Sequence, residues 1–443
     1  MKDLLLTSGN PARRIIVFAL PLLAGEVLHL FYTMTDAYIV GRWLGINGLA
    51  AVGVSASLVQ FVFGLVIGLT SGFTVITAQR AGEGSEEGIR RSVATGLLLS
   101  LAAVFVMTAA LPLLSRPILD LMRTPPEIID YSTSYAVIIF SGIAVFMFYF
   151  MMSGVIQAGG DSFTPLLFSI AGVSCNIVLD ILFIAVFSWG VGGAAAATVI
   201  SELIACILCA VFLFRRFHRF LPHRSDWAVG WAEIGTHLSL GIAMALQRSI
   251  VEVGNLLVQT VVNGLGAMTV AAVTAAQRVR GLNMMPLFAL SRAMTTYTAQ
   301  NYGANKMDRV YKGLFQACLI SLGLGVFMAT LNQFTGAPIV SLFLRDSPEA
   351  VALATRYILI TGYTVFILGI MLVFRSVLQG LGMKRAPILC SVMETVMSVL
   401  AAFVLVPRLG FIGVCLVNPL SWLASGIPLY IAFGIYRKRM ADK

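Results

Sequence analysis

Charge is what this sequence has least of. Only 11% of its 443 residues are charged, while 58% are hydrophobic. A soluble domain carries roughly 25% charged residues, so this chain cannot cover a water-facing surface. Its six cysteines (Cys175, Cys206, Cys209, Cys318, Cys390 and Cys415) all lie in apolar runs, which excludes a disulfide framework. Cys206-x-x-Cys209 has no second pair and reads as buried packing. The four histidines show no metal-site spacing. A Walker A lysine motif, HExxH and GxSxG are also missing. These absences argue against direct use of ATP and against an enzyme, and no cofactor is expected.

What is present is a series of apolar stretches, each long enough to cross a hydrocarbon core of roughly 30 Å as a helix. They lack strict alternation, which excludes a β-barrel. Spans are expected at 15–39, 49–78, 92–115, 131–157, 164–187 and 191–214, then at 234–262, 270–299, 312–333, 351–379, 386–406 and 410–435. The first run is too long for a signal peptide and reads as a retained helix. The fold class is therefore all-α integral membrane, with twelve transmembrane helices.

The net charge of +10 is a topology signal, not a nucleic-acid footprint. With the N-terminus inside, about 19 Lys and Arg fall on cytoplasmic segments and about six outside, from Arg42 to Arg408. This places both termini in the cytoplasm of a multi-pass cell-membrane protein.

The chain also repeats itself. Leu44-Gly45 before Ala50-Ala51-Val52 recurs as Leu265-Gly266 before Ala271-Ala272-Val273. Tyr135 matches Tyr357, Gly160 matches Gly382, and Gly190 matches Gly410. The offset stays near 221 residues along an ordered series. Two six-helix bundles of like orientation are expected, related as a parallel internal repeat, with alternating access between them. The expected lobes are 1–214 and 232–443, joined by a basic cytoplasmic link over 215–231.

Ionisable residues inside spans are costly and functional by default. Glu26, His29, Thr33 and Asp36 share one face of the first span. Asn176 and Asp180 share a face of the fifth, and Thr198 stands in the small-residue run of the sixth. Asp36, Asn176, Asp180 and Thr198 offer oxygen ligands, which suit Na⁺, or two carboxylates sharing a proton. Glu26 and His29 are candidates for cargo contact or proton relay. The second half carries Arg248, Glu252, Arg278, Arg280, Arg292, Arg375 and Glu394. Of these, Glu252, Arg278, Arg280 and Arg375 are candidate cavity residues, an arginine-rich wall suited to an anionic or zwitterionic group. Pro21 is a candidate bend in the first span. Gly64, Gly68 and Gly72 form a helix-packing face on the second.

These residues resemble the multidrug and toxic compound extrusion (MATE) family. The resemblance runs over most of the chain. Its carriers are Leu20-Pro21 through Thr35-Asp36, Val40-Gly41 to Leu44-Gly45, and Gln157-Ala158-Gly159-Gly160-Asp161. It looks closest to the DinF-like branch. That branch implies an amino-lobe cation site on Tyr32, Asp36, Asn176, Asp180 and Thr198, with Pro21 as the bending proline. A carboxy-lobe cation site known in another branch looks incomplete: Glu252 approximates one acid, but Arg375 is the charge in the tenth span. The resemblance implies H⁺- or Na⁺-coupled antiport of amphipathic organic compounds across the cytoplasmic membrane, by a monomer. The alternative reading is a flippase or exporter of a lipid-linked or anionic metabolite.

Overall fold

The computed structural model describes residues 5–344 and 347–441; Lys2, Arg345 and Lys443, three of the charges used for topology, lie outside them. Every regular element among the described residues is helical. Large apolar side chains such as Phe105, Leu113 and Phe334 stand exposed on helix surfaces, as expected where the solvent is hydrocarbon.

Helix α1 (Pro11–Glu83) has 73 residues. At 1.5 Å per residue it would be roughly 110 Å long, far beyond one crossing. Gly45 resolves this: its φ of 68° is the one non-helical conformation inside α1 and divides it into two spans. Then follow α2 (Glu86–Leu121), α3 (Pro126–Ser141), α4 (Ile143–Ala158), α5 (Phe163–Asp180) and α6 (Gly190–Arg216). The pair α3–α4 is one span bent by 47° at Gly142. The second series is α7 (Trp231–Asn263), α8 (Ala267–Gly303), α9 (Met307–Ser341), α10 (Pro348–Gly380), α11 (Arg385–Leu409) and α12 (Phe411–Ala441). Among the described residues nine helices are long and apolar enough to cross a membrane, and α3–α4 makes a tenth. The break in α1 adds one crossing, and α8 adds the last. Arg278, Arg280 and Arg292 dilute the apolar character of α8, which is 37 residues long. The architecture is twelve transmembrane helices in two six-helix bundles.

Local chemistry sets the helix starts. Ser85 accepts a hydrogen bond from Gly88 N at 3.0 Å to cap α2, and Ser347 caps α10 through Ala350 N at 3.3 Å. Proline opens α1, α3 and α10, where its missing N–H costs nothing. The internal repeat extends to backbone angles. Gly45 and Gly266 have φ of 68° and 91°, Gly160 and Gly382 95° and 78°, Gly190 and Gly410 63° and 56°. These left-handed values favour glycine, so matched glycines keep matched turns.

The chain forms two compact units, one built on Ala24–Ala245 and the other on Leu6–Leu23 with residues 246 onward. In the first, Phe140, Ile143, Met147, Met151 and Ile156 of α3–α4 are fully buried. The glycine stripe of the second span packs against the start of α7. A Cβ on Gly68 would run into the Ala245 backbone, and one on Gly72 into Gly241. The basic link is not free chain. Phe217 and Phe220 are buried in the core of the first unit, and Asp226 pairs with Arg90 at 2.9 Å. In the second unit, Leu290, Met294 and Tyr297 of α8 pack with Met371 and Val377 of α10. Leu6 is buried there too; its N–H donates to Gln300 Oε1 at 2.7 Å.

Candidate functional site

Three helices of the first unit converge on one buried polar cluster. Helix α1 brings Tyr32 and Asp36 one turn apart. Helix α5 brings Asn176 and Asp180, again one turn apart. Helix α6 brings Thr198, within a run of buried small residues (Gly193, Ala194, Ala195 and Ala197) that lets neighbouring helices approach closely. Asp36, Asn176, Asp180 and Thr198 are all buried, and Asp180 is 0% exposed.

Asp180 is the last α-helical residue before a π-helical turn, Ile181–Val186. Such turns release backbone register inside a span and are frequent at functional sites. The Asp36 and Asp180 carboxyls lie within reach of one shared proton.

The decisive feature is what these groups lack. Asp36 Oδ1, both Asp180 oxygens and both Asn176 side-chain heteroatoms are buried with no hydrogen-bond partner among the described residues. Buried polar atoms are nearly always satisfied, and an unpaired buried charge is costly. Two carboxylates and an amide oxygen without partners form a pocket of hard oxygen donors that fits a cation or a proton. No group of three or more His, Cys, Asp or Glu able to hold a metal occurs among the described residues, so a soft-metal centre has no donor set here.

Tyr135 of α3 joins this cluster. It is buried and interacts electrostatically with both aspartates and with the Thr198 hydroxyl. The sequence reading passed it over as a functional residue, because an aromatic in an apolar run reads as core. Its match to Tyr357 in the repeat was the available signal. Glu202 of α6, an acid in an apolar run that sequence reasoning did not single out, is half-buried and its electrostatic neighbours are Cys206 and Cys209 rather than the cluster.

The family model named MatE matches residues 21–182 and again residues 243–404. The chain belongs to the MatE family of transporters. A Bacillus subtilis relative named "Probable multidrug resistance protein YpnP" is 28% identical over 86% of this chain and 85% of its own length. A Shewanella oneidensis relative named "FAD transporter" is 23% identical over 96% of this chain and 95% of its own length. Among solved structures, an outward-facing multidrug resistance MATE family transporter of the MOP superfamily is similar with a TM-score of 0.90 and 22% identity. It covers 100% of this chain and 99% of its own. A MOP superfamily transporter from Pyrococcus furiosus, described as having a binding pocket of reverse polarity, gives 0.89 at 22% identity. It covers 100% of this chain and 99% of its own. At such identity the structures establish the fold.

The other candidate residues of this MatE transporter are dispersed. His29 is exposed, its ring 5.9 Å from that of Tyr32, and Glu26 is half-buried. Helix α1 passes Pro21 with helical backbone angles. In the second unit Arg375 is paired with Glu394 at 2.7 Å and donates to Cys390 Sγ at 3.1 Å. Arg248 and Glu252, one turn apart and both exposed, do not pair with each other. Arg278 is exposed, whereas Arg280 is half-buried and donates to Tyr357 OH at 3.3 Å. The six cysteines are free thiols.

Proposed function

We propose that this protein is a cation-coupled antiporter that exports amphipathic organic compounds across the cytoplasmic membrane, acting as a monomer with both termini in the cytoplasm. The observation that carries this reading is the set of partnerless buried oxygens on Asp36, Asn176 and Asp180. Relatives named for multidrug resistance support the direction and cargo class. H⁺ or Na⁺ enters the pocket and is held by Asp36, Asn176, Asp180 and Thr198, with Tyr32 and Tyr135 closing its sides. Occupancy replaces carboxylate repulsion with attraction and draws α1, α5 and α6 together. Coupling then requires the ion to bind the two access states unequally. In this scheme the two six-helix lobes move against each other, and α1, helical through Pro21 in this structure, would bend at that proline in the other access state.

The test is efflux of a fluorescent amphipathic cation from proteoliposomes under a pH gradient or a Na⁺ gradient imposed separately. One gradient should drive efflux, and Asp36→Asn should abolish it with normal insertion. Full gradient-driven efflux in that variant would overturn the mechanism.

A further inference from the structure

The second unit has a cavity of about 280 Å³, and among its lining residues are Glu252, Gln259, Gln277, Arg280, Tyr357 and Asn418. Its place in the repeat is informative. Tyr357 is the counterpart of Tyr135, and at the offset of Gly190 and Gly410 Asn418 is the counterpart of Thr198. Both counterparts belong to the carboxylate cluster of the first unit. The positions matching Asp36 and Asp180 fall on apolar stretches, Leu256-Leu257-Val258 and Leu400-Ala401-Ala402. The duplicated pocket has therefore lost both aspartates, and Arg280 of α8 reaches into it instead.

The guanidinium there makes no direct ion pair. No carboxylate pairs with Arg280 among the described residues; its hydrogen bond runs from Nη1 to Tyr357 OH at 3.3 Å. Asn418 Nδ2 donates to the same oxygen at 3.1 Å. With both lone pairs of that oxygen engaged, the phenolic proton is left to donate into the cavity. Arg280 keeps further N–H donors. It stands 13 residues into α8, roughly 20 Å along the helix from its start. Glu252, the one acid of the lining, is exposed and accepts from Asn255 Nδ2 at 3.3 Å.

We propose that this cavity is an anion-binding site in which Arg280 and Tyr357 hold a carboxylate or phosphate group of the carried molecule. A guanidinium fork matches either oxyanion with two parallel hydrogen bonds, and the phenol supplies a third donor. The proposal deepens the carrier reading by naming the charge of one cargo class, and it rests on that reading for the word cargo alone.

Binding is measured on the purified full-length protein in detergent by calorimetry, with no ion gradient, so failure of coupled efflux would leave the result standing. The probes are 1-naphthoate, 1-naphthyl phosphate and neutral 1-naphthol. At least one anion should bind, with naphthol at least tenfold weaker. Arg280→Gln should weaken the anion at least tenfold, and Tyr357→Phe by a smaller factor. A tighter carboxylate identifies an organic acid; a tighter phosphate identifies a phosphorylated or lipid-linked molecule. Equal binding of naphthol, or unaltered anion binding in Arg280→Gln, would overturn the site. If Arg280→Gln does not fold, the wild-type preference between naphthoate and naphthol and the Tyr357→Phe variant decide.

Discussion

Tyr32 and Thr198 are joined by a 3.0 Å hydrogen bond whose direction is set by a second one. Thr198 donates its only hydroxyl proton to the Ala194 carbonyl at 3.0 Å, so Tyr32 is the donor to Thr198. The Tyr32 proton is thereby committed to Thr198 and is not donated to either carboxylate. Tyr32→Phe removes one part-buried hydrogen bond, worth about 0.5–1.5 kcal/mol net. Thermal unfolding should show a loss of that size, and efflux should weaken while keeping its gradient dependence. Complete loss of efflux would mean that Tyr32 has an obligatory role beyond fixing geometry.

Asp36 and Asp180 make the opposite expectation. Each is buried without a donor, so neutralising either removes an unfavourable charge as well as a ligand. Asp180→Asn should leave thermal stability equal or higher while eliminating gradient-driven efflux. A strong fall in stability would show that the carboxylate is instead satisfied structurally.

Much of this was legible in the sequence, for a physical reason. An acid in an apolar span is expensive, so Asp36 and Asp180 stand out by type alone. The spacing Asn176 to Asp180 puts both on one face, as the structure has it. Tyr135 escaped because its chemistry overlaps with that of core aromatics. The pairing of Arg375 with Glu394 escaped because it crosses from α10 to α11, and side-chain partners on different helices leave no periodicity. The first two spans were separable in the sequence as two apolar runs on either side of Gly45; what the edges of apolarity hid is that helix continues from each run up to a single left-handed turn at that glycine. That the second pocket holds Arg280 where the first holds two aspartates emerges from the repeat only once Arg280 is seen beside Tyr357.

The Arg375–Glu394 pair should behave as a structural element. Both side chains are mostly buried, at 15% and 12% exposure. Removing one partner of such a pair strands the other charge and typically costs about 3–5 kcal/mol. Glu394→Gln should therefore lower the unfolding midpoint sharply. The double variant Arg375→Met with Glu394→Leu should recover most of the loss, because no charge is then left buried. A neutral single variant would return Arg375 to the set of candidate cargo contacts.

The link between α6 and α7 should be sensitive to acid through Asp226. Burial alone would raise its carboxyl pKa. The His223 N–H and the Arg90 guanidinium, each 2.9 Å from Oδ2, outweigh this and hold it below the usual carboxylate range. A group depressed in the folded state adds stability above its unfolded pKa, about 3.9, and loses it as pH falls through the lower folded value. The link should stay docked at neutral pH and loosen only below about pH 4. Hydrogen exchange over residues 218–227 reads this directly. Protection should drop in acid for the wild type and be low at every pH in Asp226→Asn. If exchange in the wild type is flat through this range, Phe217 and Phe220 hold the link by packing alone.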